Sequence, residues 1–311
     1  MQADRFRAMN SEIILLAEGD IPQVVLGFIA AREFIETNEK RFTRFSDASE
    51  LSQLNRSAGT WFNASHEMFE VVKLALEYHQ KTSGLFDPSI LPNLRAAGYN
   101  RSMDEIRRFG TDLQPATQPQ TFDSAFASLQ LNESRQAILL PPNMQIDLGG
   151  IAKGWIAEQA ARLIRQYTST CAVSAGGDIF LIGYPEGQDV WEIGLEDPRS
   201  PAENISVLYA QEGAVATSSV VKRSWKQGEH IRHHLIDPRS GEPANTDWLS
   251  VTVFAKHAVT AEAFAKAFLM ADETHIRLFE EQNPELTVLA VDASGNLVSL
   301  INPERHLNES N

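Results

Sequence analysis

Residues 145–164 read QIDLGGIAKGWIAEQAARLI. A short strand-like piece meets Gly149 and Gly150, and an amphipathic helix follows with Lys153 in its first turn. Backbone amides at a helix N-terminus, approachable because the glycines lack side chains, suit a phosphate group together with a lysine. An ordinary strand-to-helix turn with a solvated lysine accounts for the same residues. Residues 174–183, SAGGDIFLIG, place Gly176, Gly177 and Asp178 between two apolar runs. Backbone without Cβ atoms passes close to a flat or anionic ligand, and the Asp178 carboxylate accepts from hydroxyls or amines. A tight hairpin turn fits this stretch equally well.

In residues 83–100, SGLFDPSILPNLRAAGYN, Asp87 precedes Pro88. Proline biases the residue before it toward an extended backbone, which can hold the Asp87 carboxylate outward in a fixed direction; Asp-Pro is also a common start to a turn. Residues 230–244, HIRHHLIDPRSGEPA, bring His230, His233 and His234 together. Pro238, Ser240-Gly241 and Pro243 argue against a helix that would align His230 with His234 on a metal. On a strand, His234 and Ile236 share one face, and His233 and Leu235 the other. In AVTAEAFAKAFLMA, residues 258–271, the polar side chains are Thr260, Glu262 and Lys266. Glu262 and Lys266 stand four apart and share a helix face. Charges on so apolar a helix need each other or an ionic ligand where they are buried, although an edge-of-helix ion pair is the plainer reading.

The elements that must position these groups follow from periodicity and caps. Residues 13–17 read as a strand, and a long apolar-periodic helix follows Pro22 to Phe42. Ser49 and Ser65 cap two more helices, and Ser102 with Glu105 forms a capping box for another. Beyond a Pro-containing loop at 110–120, the spacing predicts strands at 137–140, 171–174, 179–182, 190–195, 214–217, 250–255, 286–291 and 296–300. Helices are expected at 150–167 and 258–282. Strand pairs of antiparallel appearance with a few helices argue α+β. The 110–120 loop is the place for a join between subdomains if the 311 residues are not one unit.

Twenty-seven basic residues against 41 acidic ones leave a net charge of −14, which excludes a dominant nucleic-acid footprint. Cys171, as the single cysteine, makes no internal disulfide and no cysteine metal cluster. Neither a signal-peptide h-region nor a membrane-length apolar run is visible. The chain as given reads as cytoplasmic, or as exported if a leader has been trimmed.

Taken in order, these stretches resemble the ApbE family of FAD:protein FMN transferases. The resemblance runs from FRAMNSEI at 6–13, where the family has a Met-Gly-Thr-like element, through FSDASELSQLN, SGLFDPS, DLGGIAKG, AGGD, ATSS and HHLIDPRSGEP to TAEAFAKA. Eight ordered elements over about 260 residues are far more specific than any one motif. The resemblance implies an α+β fold with mixed β-sheets flanked by helices and an FAD cleft. It carries FAD contacts onto Met9, Phe45, Leu85, Phe86, Asp87, Asp147, Lys153, Gly176, Gly177, Asp178, His234 and Ile236. It implies a magnesium ion on the diphosphate, held by the backbone carbonyl of Gly150 and by an Asp and a Thr on the late helix. Here those last two positions are Glu262 and Lys266. Glutamate still offers oxygen, whereas an ammonium has no lone pair, and Lys266 then falls beside the diphosphate in place of a ligand. Asn10 for glycine and Ser219 for glycine are milder departures.

The activity implied is transfer of the FMN moiety of FAD to a Ser or Thr hydroxyl of an acceptor protein, with release of AMP. His234, or its acidic neighbour Asp237, is placed to take the acceptor proton. Two rivals are an FAD diphosphatase giving FMN and AMP, and a non-catalytic FAD-binding protein.

Overall fold

The stretch SEIILLAE alternates: Ser11, Ile13, Leu15 and Ala17 are buried and the residues between them are less so. That period of two makes Ser11–Glu18 a strand with one fully covered face. It lies second in an eight-stranded sheet whose order is Gln2–Ala8, Ser11–Glu18, Thr170–Ala175, Asp178–Ile182, Gly213–Ser219, Trp248–Ala255, Thr287–Asp292 and Leu297–Ile301. Each neighbouring pair is antiparallel.

A computed structural model describes residues 1–111 and 125–301. Most of the expected 110–120 loop, and the polar tail from 302, lie outside the described residues. The chain divides into two compact units, one of Met1–Asn38, Lys153–Val221 and Asp247–Asn311, the other of Glu39–Ala152 and Lys222–Thr246.

In the first unit, the hairpin Trp191–Asp197 and Ser200–Ala210 packs Trp191, Leu195 and Leu208 against Leu181, Val215, Phe254 and Leu289 of the sheet. The apolar helix Ala258–Met270 packs on strands Gly213–Ser219 and Trp248–Ala255. Its Phe264 and Phe268 meet Phe279 edge-on at centroid separations of 5.4 and 5.3 Å, and each other at 6.0 Å. Full burial of such a ring contributes about 1.5–3 kcal/mol, so this helix is part of the core.

The helix expected over 258–282 is two helices, Ala258–Met270 and Glu273–Gln282. Ala271 turns extended, and the Asp272 side chain caps the second helix by accepting from the His275 amide at 3.0 Å. Strands Gln2–Ala8 and Ser200–Ala210 were not expected. Gln2–Ala8 is an edge strand, and both are largely exposed along their first residues, so neither carries a clear apolar alternation.

In the second unit, the serine caps stand where the sequence places them. Ser49 Oγ accepts from the Ser52 amide at 3.1 Å, Ser65 Oγ from Met68 at 3.2 Å, and Ser102 with Glu105 completes a capping box. They start helices Glu50–Arg56, His66–Lys81 and Met103–Phe109. A small sheet (Phe62–Asn63, Ala137–Leu139, Gln130–Asn132) and a hairpin (Ser224–Gln227, His230–His233) complete the unit. Its core gathers Leu94, Ala97, Tyr99, Met103, Ile106, Trp225 and Ile236. The buried Trp225 indole donates to the Ala97 carbonyl at 2.9 Å, so its polar edge is satisfied. The fold is α+β. Among the described residues, no helix is long and apolar enough to cross a membrane.

Candidate functional site

In the first unit, four of the sequence-derived residues form one cluster. Lys153 sits near the start of helix Ala152–Ile164 and its ammonium is ion-paired with Asp178. The same ammonium lies 3.3 Å from Glu262 Oε1, and so does that of Lys266. Glu262 Oε2 accepts the Gly154 amide at 2.9 Å. Asp178 Oδ1 also accepts from the Thr217 amide at 3.2 Å. The Glu262 side chain is 1% exposed. Burial alone would push its carboxyl up, but the charges of Lys153 and Lys266 and the Gly154 amide outweigh it and hold the group below the usual carboxylate range.

Each carboxylate reaches the cluster for a local reason. Gly176 and Gly177, with φ of 65° and 98°, make the two-residue turn that pairs Ala175 with Asp178. The hairpin reading of this stretch therefore holds, and the turn delivers Asp178 at the head of its strand. The neighbouring hairpin turn carries Met9 and Asn10, both at positive φ (54° and 53°). A Cβ on Gly176 would run into the Ser11 side chain, so the two turns lie close together. Glu262 and Lys266 meet across one helical turn as their spacing requires.

A second carboxylate in this unit, Glu158, was missed by sequence reading. It accepts from the Ala258 amide at 2.9 Å, Arg162 at 2.7 Å and His257 at 3.1 Å. It thus supplies the cap that the start of the Glu262 helix lacks from its own preceding side chain. Its signal was an i, i+4 pair with Arg162.

In the second unit, Asp147 and Phe45 meet through a residue the sequence reading passed over. Arg44, with 5% side-chain exposure, pairs its Nε with Asp147 Oδ2 at 2.9 Å. Its guanidinium carbon lies 4.3 Å from the Phe45 ring centroid and 4.5 Å from that of Tyr99. Asp147 Oδ1 accepts the Gly149 amide at 2.9 Å, which shapes the DLGG turn that includes Gly150. The Asp147 amide in turn donates to the Pro88 carbonyl at 2.8 Å. Phe45 remains 40% exposed.

The Asp87 carboxylate does not stand outward. It is enclosed, with Oδ1 accepting from the Ser89 amide (2.8 Å) and hydroxyl (2.6 Å) and Oδ2 3.9 Å from His79 Nδ1. The extended backbone came as expected, at φ −134° and ψ 109°, but the Ser89 donors turn the side chain inward. Leu85 and Phe86 beside it are buried too.

Among the histidines, strand His230–His233 confirms that 230 and 234 do not share a helix, and it ends before His234. His234 is half-buried just beyond, its amide donating to the Arg223 carbonyl at 3.3 Å, so strand alternation does not set its direction. Ile236 is buried in the core and bridges to Pro243. The Asp237 carboxylate is held by the Arg239 amide and guanidinium at 2.8 to 3.2 Å, and the Asp237 carbonyl accepts from Gly241 at 2.8 Å. That geometry builds the DPRSG turn and engages both Asp237 carboxylate oxygens with Arg239.

A magnesium ion does not fit the donors found at Glu262. Both of its oxygens already accept from nitrogen, two of the donors being ammonium groups, and Asp178 is committed to Lys153. Among the described residues, no three His, Cys, Asp or Glu side chains gather as a metal set. Ammonium donors and acidic acceptors interlocked in this way suit a polyanionic ligand, reached through the lysines.

The ApbE family model matches residues 12–290. A FAD:protein FMN transferase of Treponema pallidum is 27% identical over 259 residues, spanning 76% of this chain and 68% of that protein. One of Vibrio cholerae is 27% identical over 264 residues, spanning 83% and 77%. The crystal structure of the ApbE protein of Thermotoga maritima superposes with a TM-score of 0.79 at 25% identity, covering 96% of both chains. With the match spanning nearly the whole chain and including the Lys153 turn, the AGGD hairpin and the Glu262 helix, the chain belongs to the ApbE family.

Proposed function

We propose that this protein transfers the FMN moiety of FAD to a Ser or Thr hydroxyl of an acceptor protein and releases AMP. The observation that carries the reading is the similarity to named FAD:protein FMN transferases over three quarters or more of the chain. The Lys153 cluster supports it physically. The acceptor oxygen forms a bond to the FMN-side phosphorus, the bond from that phosphorus to the bridging oxygen breaks, and AMP leaves with that oxygen. Such a transfer depends mainly on positioning and on neutralising charge spread over phosphate oxygens. Lys153 and Lys266 are assigned to the diphosphate in the first unit. In the second, the exposed ring of Phe45 is assigned to stacking on a flavin or adenine ring, with Arg44 fixing its back.

His234 is the assigned base for the acceptor hydroxyl, because Asp237 is held by Arg239. A positioned base of this kind contributes about 10² to 10⁴ in rate. Met9, Gly176, Gly177, Asp178 and the Asp87 turn are assigned to shaping the FAD contacts, several through backbone.

The test is incubation of the purified protein with FAD and a Ser/Thr-containing acceptor peptide, with AMP and peptide mass both measured. Transfer gives AMP and an FMN adduct together. AMP without an adduct identifies a diphosphatase, and neither product with retained FAD identifies a binding protein.

A further inference from the structure

Three nitrogen donors converge on the Glu262 carboxylate, which is 1% exposed: the Gly154 amide on Oε2 and the Lys153 and Lys266 ammonium groups on Oε1. Magnesium requires near-octahedral oxygen ligation at about 2.0–2.1 Å. A magnesium ion reaching Glu262 would have to take the acceptor site that Oε2 keeps beside the Gly154 amide or displace an ammonium from Oε1. In either place it would stand beside both lysines, setting four positive charges against the two carboxylates of Glu262 and Asp178 in a nearly enclosed cluster. Asp178 is itself shared between Lys153 and the Thr217 amide. Lys153 and Lys266 keep 12% and 16% exposure and Asp178 10%, whereas Glu262 keeps 1%, so both ammonium groups reach the outer side of the cluster beside Asp178, and Glu262 forms its floor. That is an anion-receiving arrangement with its counter-charge built in.

We infer that Lys266 stands in place of a divalent metal, so that this cluster receives a nucleotide diphosphate through resident ammonium groups and without a bound divalent cation. Lys266 is held for this task by its own helix, its Nζ lying 3.2 Å from the Glu262 carbonyl and 3.3 Å from Oε1. A lysine supplies one charge and N–H donors where a metal supplies two charges and a coordination sphere. The identity of the anion rests on the FAD reading above; the exclusion of the metal rests on the cluster alone.

Two measurements test it on the full chain. Manganese(II) alone, titrated into the wild-type protein and followed by its electron paramagnetic resonance signal, should show no stoichiometric site. The double variant Glu262→Asp, Lys266→Thr should gain one. FAD binding, followed by quenching of flavin fluorescence, should be unchanged by excess EDTA and weakened about tenfold by Lys266→Met, the loss of one charge-assisted contact. Stoichiometric manganese binding to the wild type that Glu262→Gln abolishes would overturn the inference, as would loss of FAD binding in EDTA. If FAD fails to bind under every condition, the FAD reading falls, and the wild-type manganese titration still decides whether the cluster excludes a metal.

Discussion

Gly154 donates its backbone amide to Glu262 Oε2 at 2.9 Å, joining two helices whose residues are 108 apart in sequence. A Cβ at position 154 would lie 3.0 Å from both that oxygen and the Ala258 carbonyl. Glycine is therefore kept here for the closeness of the backbones, against its poor helix propensity. Gly154→Ala should lower stability by about 1–2 kcal/mol in spite of alanine's better propensity. Urea unfolding checks the sign; a stabilised variant would mean that the helices separate freely.

Glu262 ties stability to pH. Its folded carboxyl titrates below the ordinary 4.5, so between the two values the unfolded chain binds more protons than the folded one. The contribution is complete above about pH 4.5 and is lost as pH falls through the folded value. Glu262→Gln should flatten the acid side of the stability profile, and thermal melts from pH 7 to pH 3 would reveal it.

His233 moves stability in the same direction at higher pH. Burial, opposed by the Ala244 carbonyl and aided by Arg232, holds its imidazole below 6.5. Nε2 lies 3.0 Å from the Ala244 carbonyl, which makes it the protonated nitrogen of the neutral ring, while Nδ1 is buried without a hydrogen-bond partner among the described residues. Stability should fall as pH drops below 6.5, because the unfolded histidine takes a proton that the folded one resists. Histidine NMR titration should find the His233 midpoint below the ordinary 6.5.

Arg44 is the hub of the Phe45, Tyr99 and Asp147 group. Arg44→Met keeps much of the bulk but leaves Asp147 without its ion partner, a loss of about 3 kcal/mol for a pair this enclosed. Denaturant unfolding gives the stability effect, and FAD affinity should drop with it because Phe45 loses its backing.

His234→Ala should lower turnover far more than FAD affinity, as expected for a group that acts mainly in the transition state. Parallel measurement of kcat and of FAD affinity in binding titrations separates the two; equal losses would make His234 a binding residue only.

How much of this was legible depended on sequence distance. Ser49, Ser65 and Ser102 could be read as caps because a cap acts within three residues of itself. The Glu262–Lys266 pair was legible for the same reason. The meeting of Lys153 with Asp178 was not, since the sheet and a helix bring it about over 25 residues. Arg44 gave no motif, because its partners are ring faces at 45 and 99 and a carboxylate at 147. Asp87 shows the subtler limit: Pro88 determined the backbone, and Ser89 decided where the carboxylate went.

The near-total burial of helix Ala258–Met270, where only Thr260 and Lys266 escape it, also constrains descent. A step from Glu262 to Asp keeps the carboxylate but draws it back by one methylene from the Gly154 amide. A step from Lys266 to an uncharged residue leaves Glu262 and Asp178 sharing the Lys153 ammonium. Position 262 thus sets the reach of the cluster and position 266 its charge, so in any lineage it is residue 266 that decides which kind of counter-charge the cluster must import.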